Sequence, residues 1–300
     1  RQRQMCIRDR ANNDNLASAL SATTILLTAL GFARKVERPA SFAFCVGLLW
    51  GLGVLSKASL LVLGIPVGFL ALKLARDSGR NRVMDFIALG FLSVAGMLST
   101  AGWWFVRNIV LYGDPLGWQL VLRANALRTA PLGWGDLLWL ARGLYRSWWL
   151  AWIGISLPNW LYFLLGLIPA AAVLGWIRVR PMGSRPVFWW IMALYVAGVI
   201  AGLVKWTATV LGTDQARLLY PALPVFSLFG AAGLRSLGKG VLKGVASALF
   251  LLALVSPWLF IRPVHVPPPY IPVRGEAAPL AEFGEAIALQ EFESEPGPRR

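Results

Sequence analysis

Eight apolar runs, near residues 16–33, 42–56, 58–75, 85–106, 160–177, 186–205, 217–234 and 242–261, constrain this chain more than any other feature. They approach or reach the ~20 residues that carry a helix across a hydrocarbon core. Backbone inside a bilayer must satisfy its own amides and carbonyls, so runs this poor in charge fold as helices. Composition agrees, with 57% hydrophobic residues, 14% charged residues and a mean hydropathy of +0.61. The prediction is an all-α polytopic membrane protein with about eight transmembrane helices. A net charge of +15 would suggest nucleic acid as the partner of a soluble domain. Here most Lys and Arg sit in short loops between apolar runs, which points to anionic membrane lipids and not to nucleic acid. Cys45 lies inside an apolar run and Cys6 near the start, so no disulfide framework or metal-ligand spacing can be built from cysteine.

The same cations set an orientation. One series of loops carries Arg34, Lys35 and Arg38; Lys73, Arg76, Arg80 and Arg82; Arg178, Arg180 and Arg185; and Arg235, Lys239 and Lys243. The opposite short loops carry only Lys57, Lys205 and Arg217. By the positive-inside rule the first series is cytoplasmic. The second and third runs join through Ser56-Lys57 as a tight hairpin. Asn12-Asn13-Asp14, Lys57, residues 107–159, Thr207 to Arg217 and everything after Ile261 then lie outside, and every remaining polar constellation falls on that outer face. Within 107–159, Trp118, Val121, Leu122 and Asn125 are at helical spacing. Leu137, Leu138, Ala141 and Leu144 with Arg142 and Arg146 suggest a second amphipathic helix with a basic stripe, and Trp134, Trp139, Trp148, Trp149 and Trp152 suit a membrane interface. Two interfacial helices lying on the outer leaflet are expected.

The ends read differently from the middle. Residues 1–10, with Met5-Cys-Ile-Arg-Asp-Arg10, look like translated sequencing adapter, so the native chain is expected to start near Ala11 within a longer gene. Pro263, Pro267, Pro268, Pro269 and Pro272 make an extended linker. Glu276 to Glu295, with the apolar alternation of Phe283, Ile287, Leu289 and Phe292, reads as the start of a truncated extracytoplasmic β-domain over 263–300.

Four segments carry a resemblance: Asn13-Asp-Asn-Leu16; Gly51-Leu-Gly-Val-Leu-Ser-Lys57; Trp103-Trp-Phe-Val-Arg-Asn108 with Tyr112-Gly-Asp-Pro115; and Asp214-Gln-Ala-Arg-Leu-Leu-Tyr-Pro-Ala-Leu-Pro224. In this order, over about residues 12–262, the chain resembles GT-C glycosyltransferases of the bacterial branch similar to protein O-mannosyltransferases and lipid A aminoarabinose transferases. The resemblance implies a bacterial plasma-membrane enzyme that takes a sugar from a polyprenyl-phosphate donor on the extracytoplasmic face. It passes that sugar, with inversion, to a glycan, lipid or protein acceptor. It also implies an acidic general base in a first outer loop, expected upstream of Ala11, and often a divalent cation, Mg or Mn. Asp14 matches the family's second-loop acidic position and is a candidate for catalysis or for metal ligation, although an Asp beside two Asn residues equally suits a helix N-cap.

Lys57, Arg107 and Arg217 each stand at the outer end of a span. A departing lipid phosphate brings charge into a low-dielectric zone where a positioned cation is worth more than in water. With Asn108, Gln215 and Tyr220 they form the candidate substrate-binding set; the alternative for each cation is a snorkelling anchor. Asp114, in Tyr-Gly-Asp-Pro, reads first as a turn residue. The single histidine, His265, excludes a His-based zinc site or a Ser-His-Asp triad from the sequence given. The lack of a Gly-x-x-x-x-Gly-Lys-Ser/Thr loop argues against an ATP-driven pump. Two rivals are a flippase or transporter of polyprenyl-linked glycans, disfavoured by spans almost empty of charge at mid-depth, and an O-antigen ligase or polymerase.

Overall fold

The structure, a computed structural model, describes residues 13–78, 81–152, 155–179, 186–265, 281–282 and 288–289. Residues 1–12, including the adapter-like segment, lie outside the described residues, as does most of the Pro-rich linker. Among the described residues eight helical segments are long and apolar enough to cross a membrane, within the ranges 13–33, 39–56, 58–77, 82–112, 159–178, 186–209, 216–237 and 239–264. All eight coincide with the apolar runs, so the chain is an all-α multi-pass membrane protein.

The first span is α1 (Asn13–Ala33) and the second α2 (Pro39–Ser56), with Pro at the start of α2, where its missing N–H costs nothing. Lys57 is extended; its N–H donates to Gly53 O and its carbonyl accepts from Leu60 N. The chain reverses there into a 3-10 turn (Ala58–Leu63) that runs on into α3 (Gly64–Asp77). The tight hairpin anticipated from Ser56-Lys57 is present.

The fourth span, α4 (Arg82–Tyr112), extends six residues beyond the boundary read from hydropathy. At 1.5 Å per residue it is roughly 46 Å long, against a hydrocarbon core of about 30 Å. Arg107 and Asn108 are polar but helix-compatible, so the helix stops only at Gly113, whose φ of 68° suits a residue without Cβ and whose N–H closes on Ile109 O.

The outer segment contains both anticipated helices, α5 (Trp118–Arg123) and α6 (Trp134–Trp149), followed by a two-residue hairpin of β1 (Ala151–Trp152) with β2 (Ile155–Ser156) that the sequence did not indicate. The chain then crosses as α7 (Asn159–Val179) and α8 (Pro186–Thr209). A 3-10 element (Ala216–Ala222) leads into α9 (Leu223–Leu237), and α10 (Lys239–Ser256) continues through a π turn (Pro257–Ile261) and a 3-10 turn (Arg262–His265). Beyond His265 the described backbone is one antiparallel pair, β3 (Ala281–Glu282) with β4 (Ala288–Leu289). The rest of the segment read as the start of an outer β-domain lies outside the described residues.

Among the described residues four buried apolar clusters hold the bundle, two of them larger than the others. Ala17, Ile25, Leu60, Leu63, Ile191, Met192, Tyr195, Val199, Ala222 and Val225 join α1, the 3-10 turn, α8 and α9. A second cluster, including Val46, Leu70, Leu74 and Leu89, joins α2, α3 and α4. Helices α7 and α9 approach so closely that a Cβ on Gly175 would strike Gly233 O, and a Cβ on Gly233 would strike Ala172 O. Small residues at a crossing allow this backbone contact in lipid, where van der Waals packing replaces the hydrophobic drive.

Candidate functional site

Three helical segments begin at one place. Asn13 and Asp14 open α1, Lys57 precedes the 3-10 turn that leads α3, and Gln215 precedes the 3-10 element that leads α9. Hydrogen bonds lock them together. Asn13 Nδ2 donates to Ser56 O (2.8 Å), and Ser56 Oγ donates to Asn13 O (3.2 Å). Lys57 Nζ donates to Asp14 Oδ1 (2.6 Å) and to Arg217 O (3.0 Å). The Asp14–Lys57 pair is largely buried, its side chains 6% and 18% exposed. The carbonyl end of α2 reaches the same place at Ser56 and offsets the helix starts, so it is the Lys57 ammonium that makes this zone favour an anion, with Asp14 as the resident one. An ammonium has three N–H donors. Two of Lys57's are used within the described residues, leaving one for an incoming acceptor.

The candidate residues therefore divide. Asp14, Lys57, Gln215, Arg217 and Tyr220 share this junction. Gln215 serves through its carbonyl, which accepts from Leu218 N, and Arg217 lends its own carbonyl to Lys57. Tyr220 packs edge-on against Trp148, with ring centroids 6.4 Å apart. Arg107 and Asn108 stand apart, on the outer turns of α4, and no hydrogen bond or ion pair joins them to the junction among the described residues. Asn108 is 3% exposed and donates to Pro115 O (3.1 Å), bracing the turn after α4. Arg107 lies 6.0 Å from the Tyr112 ring centroid. Asp114 caps α5: its carboxylate accepts from Leu116 N (3.0 Å), Trp118 N (2.5 Å) and Gln119 N (3.3 Å). For Asp114 this is the turn role its sequence context indicated.

Helix α6 covers the junction. Ser147 Oγ donates to Gly143 O and accepts from Ala216 N (2.8 Å), tying α6 to the 3-10 element. Asp214 packs where a side chain on residue 143 would sit, so Gly143 is what lets α6 come this close. The segment before α6 is fastened to the end of α8 by a bridge between Leu127 and Val210, by Arg128 Nε donating to Thr207 O (3.1 Å) and by the Arg128–Asp136 ion pair (2.9 Å). The Gly133 N–H, and then Arg128, hold the Asp136 carboxyl below its ordinary 3.8. Arg146, part of the basic stripe, is engaged by Asn159 Oδ1 (2.8 Å) and the Tyr162 ring (4.9 Å), which is packing of the outer layer onto α7.

Sequence reasoning missed three groups here. Tyr195 is fully buried in α8, and its hydroxyl donates to Pro221 O (2.8 Å), which also accepts from Ser21 Oγ (2.6 Å). The signal was available: Pro221 and Pro224 in one span break the backbone ladder and free a carbonyl that lipid cannot satisfy. Ser147 carried no such signal, since its partner Ala216 is 69 residues away, and the Arg128–Asp136 pair spans an irregular segment whose path local sequence does not fix. Among the described residues one buried side-chain nitrogen has no partner, Trp149 Nε1.

Next to the junction, α6, α7, α9, α10 and the 3-10 element enclose an apolar groove of about 1070 Å³. Tyr145, Trp148 and Leu219 line it near the junction, and Ile177, Leu234 and Leu242 line its far end. As for the divalent cation, Asp14 Oδ1 already bonds Lys57, and no group of three His, Cys, Asp or Glu gathers among the described residues. No protein-family model, curated protein or solved structure matches the chain.

Proposed function

We propose that the protein is a membrane glycosyltransferase that moves a sugar from a polyprenyl-phosphate donor to an acceptor at the extracytoplasmic face of a bacterial plasma membrane. The observation that carries this reading is the convergence of three helical starts on Lys57 and Arg217 beneath α6. A lipid-linked donor presents its phosphate at headgroup depth with its hydrocarbon in the bilayer, and a buried cationic mouth between spans meets that phosphate where water is scarce.

In the transfer, an acceptor hydroxyl attacks the anomeric carbon as the bond from that carbon to the phosphate oxygen breaks. The bond's electron pair leaves with the polyprenyl phosphate, and the hydroxyl proton passes to a base. Lys57, through its remaining N–H, and Arg217 stabilise the departing phosphate, while Asp14 holds the Lys57 ammonium in place. Trp148 and Tyr220 provide an aromatic wall beside the sugar. The acceptor's base is assigned to no described residue, and no step is routed through a metal.

Sugar transfer by vesicles holding the purified protein and a panel of polyprenyl-phosphate sugars tests this. Arg217→Ala is expected to cut turnover at least a hundredfold while the protein elutes as a folded species from gel filtration, a loss of about 3 kcal/mol in transition-state stabilisation. Near-normal turnover in that variant would remove Arg217 from the site. Absence of transfer from every donor would overturn the reading.

A further inference from the structure

The groove has two ends, and the end away from the junction is strongly basic. Helices α7 and α9, separated by the single return span α8, run parallel and are in register at Gly175 and Gly233, which places Arg178 and Arg235 at the same end of the pair. Gly238, with φ at 151°, turns the chain directly into α10, bringing Lys239 and Lys243 to that end on either side of Leu242, a groove residue. All four cations are exposed, and none is in an ion pair among the described residues. No carboxylate of these elements offsets them: the sequence has no Asp or Glu between Asp136 and Asp214, or between Asp214 and Glu276. An apolar slot lined by Ile177, Leu234 and Leu242 thus opens among four unneutralised cations at the depth where lipid headgroups lie.

We propose that this groove binds one anionic phospholipid from the basic side of the membrane, its phosphate among Arg178, Arg235, Lys239 and Lys243 and an acyl chain along α7, α9 and α10. Charge complementarity selects the occupant, because a zwitterionic lipid presents its own ammonium to the four cations and a neutral isoprenoid leaves them without a counter-ion. The role is distinct from the transferase reading, since the headgroup contacts lie at the opposite end of the spans from Lys57 and Arg217. The lipid fills a space that the helices leave between them, and it fastens α10, none of whose residues is buried by protein, to the rest of the bundle.

The test is lipid retention, read by native mass spectrometry after extraction from vesicles of phosphatidylcholine with and without phosphatidylglycerol. The wild type is expected to keep phosphatidylglycerol in preference to phosphatidylcholine. The combined variant R178Q/R235Q/K239Q/K243Q should lose that preference by about tenfold or more. Gly230→Leu fills the groove from a position where a Cβ meets no atom within 4 Å, and it should lower retention with every charge intact. Arg217→Ala should retain the lipid fully, whatever its effect on sugar transfer. Equal retention of both lipids by the wild type, wild-type preference in the combined variant, or an isoprenoid recovered in place of the phospholipid would overturn the proposal.

Discussion

At the scale of single residues, Lys57 holds the most consequential position. It sits at the only break between the second and third spans and binds the first through Asp14 and the seventh through Arg217 O. A buried pair of this kind is weak evidence of net stability, because desolvation offsets much of the attraction, yet removing one partner strands the other charge. Asp14→Asn and Lys57→Met should each destabilise the protein by about 3–5 kcal/mol, and the double variant should cost clearly less than the sum. Thermal unfolding in detergent across the four-membered cycle measures this; strictly additive losses would mean that the pair is not coupled. Trp149 offers the converse case. Its Nε1 is buried without an acceptor among the described residues, so Trp149→Phe removes an unsatisfied donor together with some packing and should leave the melting temperature within a few degrees of wild type. A large fall would reveal a partner for that nitrogen. The positions of Asp14 and Lys57 at span ends were legible from hydropathy, but their contact was not: 43 residues separate them, and nothing in either local sequence specifies the other.

Among the elements, α6 is the part whose existence was readable and whose purpose was not. Apolar spacing from Leu137 to Leu144 predicted a helix, and Arg142 with Arg146 suggested a basic stripe on an interfacial helix. In the fold Arg146 faces Asn159 and Tyr162, while the opposite contacts, through Gly143 and Ser147, cover the junction of the first, third and seventh spans. Hydropathy likewise ended α4 at the edge of the apolar run, because it reports where lipid stops and is silent on where a helix stops. The structure of the cover makes two predictions. Gly143→Val should push α6 off Asp214 and admit protease into the 124–133 segment, as limited proteolysis would detect; unchanged cleavage would mean that α6 stays docked without the close approach. The second concerns acid. The Asp136 carboxyl titrates lower when folded than when unfolded, so its contribution is fully present above its ordinary 3.8 and is lost as pH falls below that value through the lowered folded one. Proteolysis of the same segment should rise over that window in the wild type. In Asp136→Asn it should already be faster at neutral pH and less dependent on acid; equal acid sensitivity in the two proteins would separate Asp136 from the docking of α6.

Across the whole molecule, the charge pattern and the fold agree without having been forced to. The loops rich in Lys and Arg connect one set of helix ends, and the Asp14–Lys57 junction, the Asn108 brace and the α6 cover all lie at the other. That agreement is why an eight-span reading from hydropathy survived intact: each span is decided locally by its own apolar length, and orientation is decided by loop composition, so neither needs knowledge of distant contacts. What depends on distant contacts, namely the Tyr195–Pro221–Ser21 knot, the α7–α9 crossing and the groove beside it, became visible only in three dimensions. Sidedness can be tested directly. With Cys6 and Cys45 replaced by Ser, a single cysteine at Ala130, exposed in the outer segment, should react with a membrane-impermeant maleimide in right-side-out vesicles. A cysteine at Gly240, in a position with no neighbour within 4 Å, should react only in inverted ones. The reverse pattern would place Lys57 and Arg217 on the cytoplasmic side and would end the extracytoplasmic transferase reading, because the phosphate of an outward-facing donor could not reach them.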